Sequence, residues 1–63
     1  MQVTLKMLRA GKNLKQTDMA VALGVSRKTI AAWESGKTMP KVDKIEAICA
    51  FFGVSYDSIK WSA

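Results

Sequence analysis

Between Gln16 and Ser35 the chain runs QTDMAVALGVSRKTIAAWES, and the placement of its small, glycine and apolar residues leaves few ways to fold it. Counting Gln16 as position one, Ala20 is fifth, Gly24 ninth and Ile30 fifteenth, with Met19, Leu23, Val25 and Trp33 at positions four, eight, ten and eighteen. The spacing predicts two helices joined by a tight turn. Ala20 has to be small where the second helix crosses the first, since a longer side chain would push the axes apart. Gly24 ends the first helix, because without a Cβ it enters the left-handed conformation that a short turn demands. Ser26 is a good N-cap for the second helix, and Ile30 and Trp33, three apart, face the core together. An ordinary helical hairpin also wants glycine at its turn and apolar residues at helical spacing. The other face of the second helix argues against it. Arg27, Lys28, Ala31 and Ala32 point away from Ile30, so the exposed strip is two cations followed by two methyl groups, where a solvated face is more often mixed in sign.

Matches continue on both sides. LKMLRAGKNLKQ from Leu5 to Gln16 carries a leucine-basic first helix, Trp33-Glu34-Ser35-Gly36-Lys37 follows the window, Pro40 comes shortly after, and Ile48-Cys49-Ala50-Phe51-Phe52-Gly53-Val54-Ser55 closes a further helix. In all of these the chain resembles the DNA-binding domain of the phage repressor and Cro type, also called Xre-like. The resemblance implies a compact, all-α domain of five helices over residues 1–63, of the lambda-repressor-like kind, with the helix-turn-helix formed by helices 2 and 3. It implies a transcriptional regulator that binds double-stranded DNA sequence-specifically, repressor or Cro-like, acting as a homodimer on a roughly palindromic operator.

A chain of 63 residues that is 49% hydrophobic can build a small helical core without disulfides. With one cysteine and no histidine there is no internal disulfide and no ligand set for zinc or haem, so no cofactor is expected. Asp18, Asp43, Glu46 and Asp57 are scattered, which gives an enzyme no site. Charges interrupt the apolar residues of MQVTLKMLRAGK before they reach the length of a signal peptide or membrane span, and the expected location is the cytoplasm. For a single domain no small-molecule ligand is expected. The net charge of +5 is uneven: residues 1–41 hold eight cations against Asp18 and Glu34, while residues 42–63 hold Lys44 and Lys60 against three carboxylates. A polyanion would meet the first part of the chain.

Five helices and no strand are expected. Thr4 caps the first, which runs to Gly11 with Leu5 and Leu8 inward; the second covers Gln16 to Leu23, and the third Arg27 to Ser35, closed by Gly36. A fourth starts at Val42 with Ile45, Ile48, Cys49 and Phe52 as its buried stripe, Gly53 stops it, and Ser55 begins a short fifth that turns Ile59 inward.

A protruding helix fits the major groove of B-DNA, which makes the third helix the expected reader. Arg27 is the first choice for a base contact, since its planar fork can bond O6 and N7 of guanine, and Lys28 is the second; a phosphate grip is open to either. Ala31 and Ala32 can touch thymine methyls or let the backbone approach closely. The family often has a longer polar reader where this chain has Ala32. Expected phosphate contacts are Lys15, Gln16, Ser26, Thr29, Lys37, Thr38 and Lys41, with Gln16 matching a family position whose amide binds the backbone. Lys15 stands where the family usually has a side-chain cap. The resemblance also makes Arg9 and Glu34 a structural ion pair, tying the first helix to the end of the third. Cys49 falls at a core position that is often alanine. Phe51, Tyr56 and Trp61, left without assigned core places, are the candidate dimer interface, although Trp61 has the alternative of folding over the core as a lid. The rival function is a protein-interaction module on the same fold, an antirepressor or antitoxin.

Overall fold

The computed structural model describes residues 2–61. A two-residue strand β1 (Val3–Thr4) leads into α1 (Leu5–Gly11), followed by α2 (Gln16–Leu23), α3 (Arg27–Glu34) and α4 (Val42–Phe52). A single 3-10 turn at Tyr56–Ser58 then delivers β2 (Ile59–Lys60).

Local chemistry sets the helix boundaries. Thr4 Oγ1 accepts the Met7 amide at 3.1 Å and starts α1. Lys15, at the cap of α2, has no acceptor to offer; the third residue of the helix compensates, with the Asp18 carboxylate accepting the Lys15 amide at 2.8 Å and placing negative charge on the positive end of the dipole. Gly24 ends α2 at φ 69°, which lets the Val25 amide return to the Ala20 carbonyl at 3.0 Å. Ser26 Oγ then accepts the Thr29 amide at 3.1 Å to open α3.

Leu5, Met19, Ala20, Leu23, Ile30, Trp33, Ile48 and Ile59 form the buried core, with Leu8, Val25, Cys49, Phe52, Val54 and Trp61 partly covered against it. α2 and α3 make the most extensive helix pairing, and Ala20 of α2 is buried in the core. Lys44 of α4 adds a polar tie, its Nζ donating to the Leu23 carbonyl at the end of α2 at 2.9 Å.

The structure corrects three expectations. There are four α-helices rather than five, because the segment after Ser55 closes only one 3-10 turn before Ile59 becomes extended. Strands are present: β1 and β2 pair in parallel with Val3 opposite Ile59 and Thr4 opposite Lys60. Ile59 is buried as expected, but from a strand, where a β-branched side chain fits well. On α4 the stripe is narrower than its periodicity suggests, since Ile48 is buried while Ile45, Cys49 and Phe52 are only half-buried.

Candidate nucleic-acid interface

α3 carries the outward strip. With Ile30 and Trp33 fixed in the core, Arg27 and Lys28 at its first turn are exposed and Ala31 and Ala32 are half-exposed. Beside the helix runs an open groove of about 590 Å³ lined by Ser26, Lys28, Thr29, Ala31, Ala32, Ser35, Lys37 and Thr38. Its lining combines the methyl groups of two alanines with ammonium and hydroxyl groups, and it contains no carboxylate among the described residues. Ser26 and Thr29 share a hydrogen bond between their hydroxyls at 2.9 Å in addition to the cap. Both are therefore held in place before any ligand arrives.

Arg27 is not free. Its Nη1 donates to Gln16 Oε1 at 3.1 Å, and Gln16 Nε2 donates in turn to Glu34 Oε1 at 3.1 Å. Glu34 receives Arg9 in a two-pronged pair, Nε to Oε2 at 2.5 Å and Nη2 to Oε1 at 3.1 Å. Arg9 Nη1 further donates to the Leu14 carbonyl at 2.7 Å, so one guanidinium clamps α1, the α1–α2 link and the end of α3. Only 13% of the Arg9 side chain and 4% of Glu34 reach solvent. The hydrogen bonds it donates to Glu34 raise the Arg9 guanidinium above its ordinary pKa, outweighing the opposite push of burial. It stays charged at any pH at which the fold exists.

The other expected contact residues fall in different places. Lys15 and Gln16 sit at the start of α2, Gln16 being linked to Arg27, while Ser26, Thr29, Lys37 and Thr38 share the groove along α3. Lys41 does not line that groove; it borders an apolar one with Met39, Pro40, Val42, Ile45, Glu46 and Tyr56. The three aromatics divide into two clusters. Phe51 meets Phe52 edge to face at 5.0 Å, with Lys12 Nζ 5.5 Å and 5.9 Å from the two ring centres. Tyr56 stacks on Trp61 at 5.7 Å, and Trp61 Nε1 donates to the Tyr56 carbonyl at 3.3 Å. Exposed Met39 and Val42, beside Tyr56, received no role from the sequence because neither breaks a helical pattern nor carries charge. Among the described residues no helix is long and apolar enough to cross a membrane, and no three potential ligands gather around a metal position.

Residues 5–59 match the family model described as helix-turn-helix. The chain is 46% identical over 55 residues to the HTH-type transcriptional activator BcrR of Enterococcus faecalis, covering 87% of this chain and 27% of that protein. It is 48% identical over 59 residues to an uncharacterized HTH-type transcriptional regulator of Methanocaldococcus jannaschii, covering 94% of this chain and 89% of that protein. Against the cryptic phage CTXphi transcriptional repressor RstR of Vibrio cholerae it is 36% identical over 47 residues, which are 75% of this chain and 42% of the repressor. The matched residues 5–59 contain every element from α1 to the 3-10 turn, including the α2–turn–α3 unit and the Arg9–Glu34 clamp. The chain belongs to this helix-turn-helix family of transcriptional regulators, of the phage repressor and Cro type.

Proposed function

We propose that the chain binds double-stranded DNA sequence-specifically, with α3 in the major groove, and that it regulates transcription as a dimer on a roughly twofold operator. The observation that carries this reading is the face of α3, where an exposed arginine and lysine precede two half-exposed alanines beside a groove that no carboxylate lines among the described residues. A B-DNA major groove accepts a helix of this kind and repels an acidic one. Arg27 and Lys28 are the base readers. Ala31 and Ala32 set how near the helix axis comes to the base edges. Lys15, Gln16, Ser26, Thr29, Lys37 and Thr38 ring the helix and hold phosphates, and Lys41 takes the same role from the start of α4. A repressor or Cro-like role is the assignment we favour; the relatives include both an activator and a repressor.

For the dimer, the structure favours Tyr56 over the other two candidates. Trp61 is half-buried against the core and Phe51 is engaged with Phe52 and Lys12, whereas Tyr56, Met39 and Val42 are 50%, 51% and 70% exposed around one apolar groove. Lys41 and Glu46 border it with opposite charges. Exposed apolar surface of this kind is what a second copy of the chain would cover. Selection of bound duplexes from a random pool tests the function: an inverted-repeat consensus is expected, and recovery of no preferred sequence would count against it.

A further inference from the structure

The groove along α3 shares part of its lining with a second one. Lys37 and Thr38 line both, and the second, of about 600 Å³, also takes in Gln2, Met39, Lys60 and Trp61. Lys60 reaches this position through the pairing of the chain ends: with Ile59 buried opposite Val3, the alternation of a strand turns the next side chain outward. Lys60 is 23 positions from Lys37 in a segment whose summed charge is slightly negative, and the fold sets the two on one surface.

No carboxylate lines this groove among the described residues. Asp57 presents its backbone carbonyl to Gln2 Nε2 at 3.2 Å. The ion pair found among the described residues is Arg9 with Glu34, and neither Lys37 nor Lys60 pairs with a described carboxylate. Met39, Tyr56 and Trp61 give the same groove an apolar flank, and Met39 and Tyr56 are shared with the apolar groove assigned to the dimer. Ammonium groups beside an apolar wall suit a chain of phosphates joined by deoxyribose, and base edges would find little there to bond with.

We propose that this second groove continues the DNA backbone track beyond α3, with Lys60 as a phosphate-contacting residue. The partner is the sugar-phosphate backbone of the duplex already engaged by α3, so the proposal rests on the DNA-binding reading. Lys60 then adds affinity without adding sequence preference.

The test measures the dissociation constant of the full chain for its selected operator and for random duplex over a salt series, using wild type, Lys60→Gln and Lys60→Arg. Lys60→Gln is expected to make the slope of log K against log salt shallower by about 0.9 per bound subunit, equally on operator and random DNA. Lys60→Arg should retain the wild-type slope, and the selected consensus should be the same for all three proteins. Because the Lys60 side chain is exposed, melting temperatures should agree, and Lys60→Arg distinguishes loss of charge from loss of fold. An unchanged slope for Lys60→Gln, with wild type still binding its operator, overturns this proposal alone. A shifted monomer–dimer equilibrium with an unchanged slope assigns the groove to a second copy and overturns it as well. Absence of DNA binding by wild type overturns both this proposal and the function beneath it.

Discussion

Replacing Arg9 by Met keeps most of the aliphatic stem and removes the guanidinium, which isolates the cost of the clamp. Glu34, with 4% of its side chain exposed, would be left with Gln16 as its hydrogen-bond donor, and the Leu14 carbonyl would lose its partner. Breaking a buried pair by removing one member costs about 3–5 kcal/mol, since the surviving charge stays desolvated. A domain of this length has a total stability of only about 3–9 kcal/mol, at roughly 0.05–0.15 kcal/mol per residue. The substitution should therefore lower the melting temperature by at least about 12 °C, at about 4–8 °C per kcal/mol for a small domain. Glu34→Gln leaves Arg9 buried without its counter-charge and should cost somewhat less, because an amide oxygen still accepts. The double variant removes both charges, and its loss should fall short of the sum by about 1–3 kcal/mol. Thermal and urea unfolding of the four proteins, followed by circular dichroism, measures that coupling. A value under about 0.5 kcal/mol, typical of an exposed pair, would refute the reasoning. The pH dependence follows from the raised Arg9 pKa. A group whose folded pKa is raised contributes stability that is complete below its ordinary value and is lost only as pH climbs past the raised one. Arg9 should accordingly add no slope to stability between about pH 6 and 9.

Arg27→Ala should cost about 1–3 kcal/mol on the selected operator and relax one guanine in the consensus, whereas equal weakening on random DNA would assign Arg27 to phosphate. The wild-type dimer should show a log K against log salt slope of roughly −5 to −9, as for three to five phosphates per subunit, and a slope near zero would point to a protein partner instead. Gly24→Ala should destabilise by about 1–2 kcal/mol through the left-handed backbone alone, because a Cβ there meets nothing closer than Lys44 Nζ at 3.9 Å; an unchanged melting temperature would count against that. Val42→Asp should raise the dimer dissociation constant in sedimentation and leave the fold intact, since Val42 is 70% exposed; an unaltered constant would remove this groove from the interface.

Helix positions were legible because their signals are local. Thr4, Ser26, Gly24 and Gly53 act within four residues of themselves, and each helix starts or stops where its cap dictates. The end of the chain was not legible in this way. Ser55 to Lys60 carries a capping serine and an apolar residue at the spacing of one helical turn, which reads as a short helix; what decides its form is the backbone of Val3 and Thr4, more than fifty residues away. The periodicity of α4 overstated its burial for a related reason: a stripe names the inward side but not how much neighbour is there to cover it. Within the candidate site, residue type and spacing pointed to α3 and its neighbours. They were silent on which side chains hold one another, and they separated Lys60 from Lys37 because charge was counted along the chain and not across the surface.

The linkage of Arg27 to Glu34 through Gln16 gives the site a property that none of the three residues has alone. An exposed arginine at a helix start samples many rotamers, and ordering it on a base costs up to about 2 kcal/mol of side-chain entropy. Here Gln16 holds Nη1 from one side and is itself oriented by a carboxylate whose second oxygen is fixed by Arg9. Part of the ordering is met when the domain folds, and it is met by the same clamp that joins α1 to α3. Gln16→Ala should therefore act twice. It deprives Glu34 of a donor, at a cost of about 1 kcal/mol in stability, and it releases Arg27, so that affinity for the operator falls more than affinity for random duplex. Parallel measurement of unfolding and of operator and random binding separates the two effects. If Gln16→Ala weakened both duplexes equally, Gln16 would be a phosphate contact only, and Arg27 would reach its base without help from the fold.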